Sequence, residues 1–247
     1  MAHTLFALLG LVAAVVVGCS TSTNGTASGP PSVSPGAYQP SPVTSPQTRL
    51  RYIALGDSYT IGTSVSTDAR WPNQLAMALA GDPTGLDLVA NLGVNGYTSR
   101  DVIDVELPQV ASLQPEFITL LIGVNDVVQG VPPGTFRENV IQILDDLVGR
   151  VGAARIIVVT TPDYTVTPAG ADYGDPTTQA AGIRENNLIL STLATARGIT
   201  VVDIYDISLG AAADRSLVAS DGLHPSGAQY ARWVTRIAPA AAGLIRP

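Results

Sequence analysis

Two patterns of hydrophobic and polar residues alternate along the chain after residue 49. Short apolar runs of four to six residues are typical of buried strands, and the stretches between them repeat Leu, Val, Ile and Ala at helical spacing. The predicted strands are residues 52–55, 86–91, 117–122, 156–161 and 200–203. The predicted helices are residues 71–80, 99–113, 135–151, 178–197 and 226–244.

This alternation of strand and helix predicts an α/β fold. Parallel strands joined by right-handed crossovers place helices on both faces of a single sheet. Ligands of such sheets bind at the carboxyl ends of the strands. Polar residues that directly follow a predicted strand are therefore the first candidates for a functional site.

The N-terminal region begins with an apolar segment. Residues 5–17 have the length of a signal-peptide core and fall short of the roughly 20 residues of a membrane-spanning helix. They lead into Val-Val-Gly-Cys at residues 16–19, which is similar to the bacterial lipobox. The resemblance implies export and lipid attachment to Cys19. No Lys or Arg precedes the apolar segment, and a plain secretory leader or an uncleaved anchor is the alternative.

A polar segment follows the apolar one. Residues 20–48 are rich in Ser, Thr, Pro and Gly and contain no charged residue, so they cannot bury enough surface to fold. We expect a signal peptide at residues 1–18, a lipidated Cys19 and linker at residues 19–48, and one folded domain at residues 49–247. The protein would then be a membrane-anchored lipoprotein on the extracytoplasmic face, or secreted without the lipid.

Composition narrows the possible partners. The formal net charge is -7 and all 13 basic residues are Arg, with no basic stripe that could neutralise phosphates, so we expect no nucleic acid partner. Cys19 is the one cysteine and cannot form an internal disulfide. No internal repeat or long interaction surface is visible, which argues against an envelope scaffold. We expect a monomer.

Residues with a donor or a nucleophile to offer follow three of the predicted strands. The first strand runs into Ser58, the second is followed by Gly96 and the third by Asn125. A serine hydroxyl can act as a nucleophile, and an amide or backbone N–H can stabilise an oxyanion. Each of these residues is also common in ordinary turns and helix caps, so none is decisive alone.

A histidine directly before the last predicted helix supplies the missing base. His224 is the only histidine that remains after the leader, and it lies three residues after Asp221. A serine nucleophile needs a base, and the imidazole needs an acceptor on its other nitrogen. The alternative is that Asp221 caps a turn and His224 is a solvated loop residue. A metal site is a poor fit, because one histidine and no usable cysteine leave only carboxylates as further ligands.

Taken in order, these motifs resemble the four sequence blocks of the SGNH/GDSL hydrolases. The blocks are Gly56-Asp57-Ser58, Gly96, Gly123-Val124-Asn125-Asp126 and Asp221-Gly222-Leu223-His224. The resemblance implies a flavodoxin-like three-layer α/β/α sandwich with a five-stranded parallel sheet. It also implies a serine esterase with Ser58 as nucleophile, His224 as base and Asp221 as its orienting carboxylate. The N–H groups of Ser58 and Gly96 and the Asn125 amide would form the oxyanion hole, and no metal or organic cofactor is required.

The substrate is less well defined by the motifs. Residues 162–176 should lie beside the site, where Tyr164 or Tyr173 would pack against a substrate. This segment lacks the large apolar residues of a lipid-binding lid, which favours short acyl groups on an envelope or extracellular substrate such as an acylated carbohydrate. The alternative is that the segment is an ordinary surface loop. The alternatives are an acyltransferase with a carbohydrate acceptor, an inactive carbohydrate-binding surface lipoprotein, and an envelope scaffold.

Overall fold

The computed structural model describes residues 48–246. The predicted signal peptide, Cys19 and the linker up to residue 47 lie outside the described residues, and these assignments stay predictions. Thr48, the last residue of the predicted linker, is instead the first residue of a strand. Its N–H donates to Pro83 O at 3.1 Å, and the residue pairs with Thr84 of the neighbouring strand.

Five strands form one parallel sheet. They are β1 (Thr48–Gly56), β2 (Thr84–Asn91), β3 (Phe117–Leu121), β4 (Ile156–Val159) and β5 (Thr200–Val202). Their order across the sheet is β2-β1-β3-β4-β5, and every neighbouring pair is parallel. This is the flavodoxin-like order, in which the chain reverses its direction of growth between β1 and β3. The α/β fold and the five predicted strands are confirmed, and the topology places a crevice at the ends of β1 and β3.

Helices cover both faces of the sheet. They are α1 (Ser58–Ile61), α2 (Trp71–Ala78), α3 (Ser99–Asp101), α4 (Leu107–Leu113), α5 (Val124–Val128), α6 (Pro133–Val151), α7 (Pro176–Thr195), α8 (Tyr205–Leu209) and α9 (Gly227–Ile245). The predicted helix at residues 99–113 is divided, because the π-helical turn Val102–Glu106 separates α3 from α4. The short helices α1, α5 and α8 were not predicted, since four or five residues are too few to show a helical period.

Two apolar cores hold the layers together, one on each side of the sheet. In β1, Tyr52 and Ala54 belong to the core beneath α2 and α9, whereas Ile53 and Leu55 belong to the core beneath α4, α6 and α7. From Tyr52 onward both faces of β1 are therefore buried, which explains why this part of the strand is a continuous apolar run in the sequence. None of the helices within residues 48–246 combines the length and the apolar character needed to span a bilayer.

Candidate active site

The turn after β1 presents Ser58. Gly56 has a φ of +146°, and a Cβ at this position would lie 2.1 Å from Leu121 O, so only glycine lets β1 end so close to β3. Asp57 then caps α1 by accepting the Tyr59 N–H at 2.9 Å. Ser58 is the first residue of α1, and its N–H has no partner within the helix. The turn thus brings a hydroxyl and a helix-terminal N–H to the sheet edge.

Two buried carboxyl groups support this turn from below. Asp57 is fully buried, and Glu106, the last residue of the π-helical turn, accepts the Gly56 N–H at 3.0 Å. Burial raises the pKa of Asp57 to about 8 and that of Glu106 to about 9. Both groups are therefore mainly protonated at neutral pH, and little negative charge lies beneath Ser58. In the unfolded chain these carboxyl groups lose their protons above the ordinary carboxyl pKa, whereas in the folded chain they keep them until the pH approaches 8 or 9. The fold therefore becomes less stable as pH rises towards 9.

The turn after β3 begins α5. Gly123 has a φ of +124°, and a Cβ there would lie 2.8 Å from the Phe136 ring. The third residue of α5, Asp126, is buried and accepts both the N–H and the hydroxyl of Ser99, at 2.9 and 2.5 Å. Burial raises the pKa of Asp126 despite these hydrogen bonds. Asp126 thus fixes α5 to α3, and it leaves the preceding residue, Asn125, at the cleft.

Two amide side chains hold the turn at residues 94–97, one from α5 and one from the residue that ends it. Asn125 Nδ2 donates to Tyr97 O at 2.9 Å, and Gln129 Nε2 donates to Gly96 O at 2.8 Å. Gly96 itself has a φ of +82° and open space around its Cα, so the backbone conformation is what favours glycine there. An amide carries two N–H groups, and only one of those on Asn125 is used by Tyr97. The second is available to a ligand in the cleft.

The loop before α9 joins His224 to Asp221. His224 Nδ1 lies 2.6 Å from Asp221 Oδ2, and Ser64 Oγ donates to the same oxygen at 2.7 Å. Asp221 Oδ1 accepts the N–H groups of Leu223 and His224 at 2.9 and 3.0 Å. Partial burial raises the pKa of Asp221, but the hydrogen bonds to its two oxygens outweigh burial and lower it below its ordinary value. The ionised carboxylate accepts the proton on Nδ1 and leaves Nε2 of the imidazole as an acceptor.

All of these turns open onto one cleft of about 270 Å³. Ser58, Gly96, Asn125 and His224 line it, and Asp221 lies behind the imidazole. The Tyr59 ring packs against the imidazole with ring centroids 5.4 Å apart. Among the described residues no hydrogen bond joins Ser58 Oγ to His224, as is common in free enzymes, where catalytic hydrogen bonds shorten only when substrate binds.

The rest of the cleft is mainly apolar. Its wall includes Val124, Val128, Leu223 and the two tyrosines of the segment at residues 162–176. Tyr164 is buried and donates its hydroxyl to Gln179 Oε1 at 2.7 Å, while Tyr173 is 44% exposed. The two rings are in edge contact, with centroids 5.8 Å apart. The segment thus lies beside the site, as the sequence predicts.

Several residues of the site were missed by sequence analysis. Ser64, Gln129 and Tyr59 lie in stretches with no distinctive pattern, and only tertiary contacts show their partners. Glu106 carried a weak signal, because it is an acidic residue between Val105 and Leu107 on a predicted helix. An acidic residue within an apolar stretch of a helix is a candidate for a buried polar group.

The model of the GDSL-like lipase/acylhydrolase family matches residues 54–232. The chain belongs to this family. It is therefore a serine ester hydrolase, and the match includes all four sequence blocks. A comparison with curated proteins finds no match.

Three solved structures illustrate the shared fold. TesA has 18% identity and a TM-score of 0.63, and the match covers 78% of this chain and 99% of TesA. A variant of Axe2, an acetyl xylan esterase from Geobacillus stearothermophilus, has 18% identity, a TM-score of 0.63 and coverage of 79% and 95%. The lipase/acylhydrolase from Enterococcus faecalis has 20% identity, a TM-score of 0.62 and coverage of 80% and 98%. At such identities the likeness shows that this GDSL-family hydrolase shares their fold.

Proposed function

We propose that this hydrolase cleaves short acyl esters with Ser58 as nucleophile, His224 as base and Asp221 as the residue that orients the base. The observation that supports this most is the convergence of Ser58, His224 and the proposed oxyanion donors on a single cleft, with Asp221 bound to the imidazole. Ser58 and His224 lie near opposite ends of the domain's sequence, yet both line that cleft. An ordinary turn and a solvated histidine would have no reason to meet there.

The proposed reaction has two halves. His224 Nε2 takes the proton of Ser58 Oγ while Oγ attacks the ester carbonyl carbon, and the carbonyl oxygen becomes an oxyanion. The imidazolium then gives the proton to the departing alcohol as the ester C–O bond breaks. Water, deprotonated by His224, attacks the acyl-enzyme, and Ser58 Oγ leaves with the returned proton. The products are a carboxylic acid and an alcohol.

The oxyanion is stabilised by three proposed donors: the N–H groups of Ser58 and Gly96 and the second N–H of Asn125. The buried carboxyl groups of Asp57 and Glu106, with pKa values raised to about 8 and about 9, are mainly neutral at neutral pH and so do not oppose this negative charge. An ionised carboxylate beneath Ser58 would repel the developing charge through a medium of low dielectric constant. The neutral state of both groups therefore removes one source of repulsion from the proposed oxyanion site.

The size of the cleft supports a small acyl group. Its volume of about 270 Å³ is below the roughly 300–1,000 Å³ of sites that take drug-sized ligands. The apolar wall suits an acyl chain, and the exposed Tyr173 at its edge offers a flat surface to the alcohol portion. We propose an acylated carbohydrate or a small ester of the envelope or the extracellular medium as substrate. Lipid attachment at Cys19 would hold the domain near such a substrate.

The proposal is tested with p-nitrophenyl esters of increasing chain length, acetylated xylan and lysophospholipid. We expect the highest kcat/KM with acetyl or butyryl esters and no measurable turnover by Ser58→Ala. Ser66→Ala is a matched control, since Ser66 is exposed on the same segment and makes no capping hydrogen bond. A fluorophosphonate probe should label the wild type and Ser66→Ala but not Ser58→Ala.

Two results would contradict the proposal. Turnover that survives in Ser58→Ala would remove the nucleophile, and a preference for long acyl chains or lysophospholipid would remove the substrate class. Transfer of the acyl group to an added sugar in preference to water would assign the same site to acyl transfer.

A further inference from the structure

We propose that Ser64 is a positioning residue that holds the Asp221 carboxylate in the orientation His224 needs; this inference rests on the proposed function. Ser64 Oγ donates to Asp221 Oδ2 at 2.7 Å, and the same oxygen is 2.6 Å from His224 Nδ1. The hydroxyl and the imidazole thus share a single carboxylate oxygen. Ser64 lies outside the four sequence blocks that resemble those of the family.

The hydrogen bond from Ser64 joins two separate parts of the site. Asp221 Oδ1 accepts two N–H groups of its own loop. Among the described residues, Ser64 is the side chain from outside that loop that donates to Asp221, and it lies 157 positions away in the chain. Without Ser64, the bonds to Oδ1 still hold one oxygen, but Oδ2 keeps only the imidazole. The direction of Oδ2 therefore depends on Ser64 as well as on His224.

Ser64 is itself tied to the nucleophile. The N–H groups of Gly62 and Thr63 both donate to Ser58 O, at 3.0 and 3.1 Å, so the chain folds back onto Ser58 directly before Ser64. This short connection couples the position of the carboxylate to that of the nucleophile. The orientation of the base is thus set from the segment that carries the hydroxyl it must deprotonate.

The backbone at Ser64 is consistent with a functional constraint. Its φ is +65°, in the left-handed region that favours glycine, and within residues 48–246 only Gln114 is another non-glycine residue with positive φ. Gln114 ends α4, where a left-handed residue is common. Ser64 ends no helix, and glycine would relieve the strain but would lack the hydroxyl. Strained backbone of this kind is concentrated at functional sites.

The experiment compares Ser64→Gly, Ser64→Ala and the control Ser66→Ala in the full-length protein. We expect kcat to fall about tenfold in both Ser64 variants, and KM to stay within about twofold of the wild type. A tenfold fall is the effect of losing one hydrogen bond to a charged group when solvent exposure weakens that bond. Ser64→Gly should melt within a few degrees of the wild type, because relief of the strained φ offsets the lost hydrogen bond and the greater entropy of the unfolded chain. Loss of activity together with retained stability would separate positioning from folding.

The pH profile gives a second measurement. The Ser64 hydroxyl partly neutralises the Asp221 carboxylate, so its removal should let the carboxylate stabilise a protonated imidazole more strongly. We expect the acid limb of kcat/KM to move upward by a few tenths of a pH unit in both Ser64 variants and to stay in place in Ser66→Ala. Wild-type kcat and an unmoved acid limb in Ser64→Gly would overturn the inference.

Failure of this inference differs from failure of the proposed function. If Ser58→Ala is inactive while the Ser64 variants match the wild type, only the role of Ser64 is lost. If Ser58→Ala retains turnover and the fluorophosphonate probe does not label Ser58, the proposed function fails, and the positioning role falls with it.

Discussion

Replacing Asn125 with alanine tests the oxyanion site directly. Asn125 Nδ2 donates one N–H to Tyr97 O at 2.9 Å, which leaves the second for an oxyanion in the cleft. Loss of an oxyanion donor typically costs about 2.7–4 kcal/mol of transition-state stabilisation, or a factor of about 10² to 10³ in kcat. Loss of the hydrogen bond to Tyr97 has a separate effect. It lowers the free energy of unfolding by about 1 kcal/mol.

Gln129→Ala separates these two effects. Gln129 makes the other side-chain hydrogen bond to the same turn, at 2.8 Å from Gly96 O, but unlike Asn125 it does not line the cleft. We expect both variants to lose about 1 kcal/mol of stability in urea unfolding. Only Asn125→Ala should lose a factor of about 10² or more in kcat.

The assay is steady-state hydrolysis of p-nitrophenyl acetate. Because the oxyanion forms only in the transition state, KM of Asn125→Ala should stay within about threefold of the wild type. Equal losses of kcat in the two variants would show that the turn, and not the amide donor, is what matters. A wild-type kcat in Asn125→Ala would refute the assignment of the oxyanion hole.

Two further predictions follow from buried and exposed side chains of the site. Glu106→Gln keeps an acceptor for the Gly56 N–H but removes a carboxyl group whose pKa is raised to about 9 by burial. The decline in the free energy of unfolding between about pH 5 and pH 9 should therefore become shallower, by up to about 1.4 kcal/mol per pH unit. Urea unfolding across this range measures it, and an unchanged slope would mean that Glu106 is not protonated in the fold. Tyr173→Ala should raise KM by about two- to tenfold with kcat nearly unchanged. Leu209→Ala, a change at a similarly exposed residue outside the cleft, should alter neither KM nor kcat in steady-state assays. A wild-type KM in Tyr173→Ala would show that this ring does not contact the substrate.

The α/β fold could be predicted because its signals are local. The central strands β3 and β4 are buried throughout, as is β1 from Tyr52 onward, and all three are mainly apolar runs, while each long helix shows its own period. The family blocks could likewise be recognised, because Ser58, Gly96, Asn125 and His224 each follow a predicted strand or precede a predicted helix. Parallel strands bring such positions to one edge whatever their separation in the chain.

The division of the helix at residues 99–113 was not predictable in the same way. Its apolar pattern continues through the π-helical turn Val102–Glu106, so the extra residue leaves no mark in the hydrophobic period. Only the fold shows that this turn places Glu106 under Gly56. Burial, which depends on the packing of distant elements, is the main cause of the raised pKa of Glu106.

The sequence by itself determined the layered fold, the family and the identity of the residues proposed to carry the chemistry. The tertiary structure decided which side chains orient them. Ser64 reaches Asp221, and Gln129 reaches Gly96, across 157 and 33 positions of sequence respectively. Neither pair has a spacing or a residue type that distinguishes it from an ordinary polar surface. A hydrogen bond depends on the relative position of two atoms to within a few tenths of an ångström, and only the packing of distant elements sets that position.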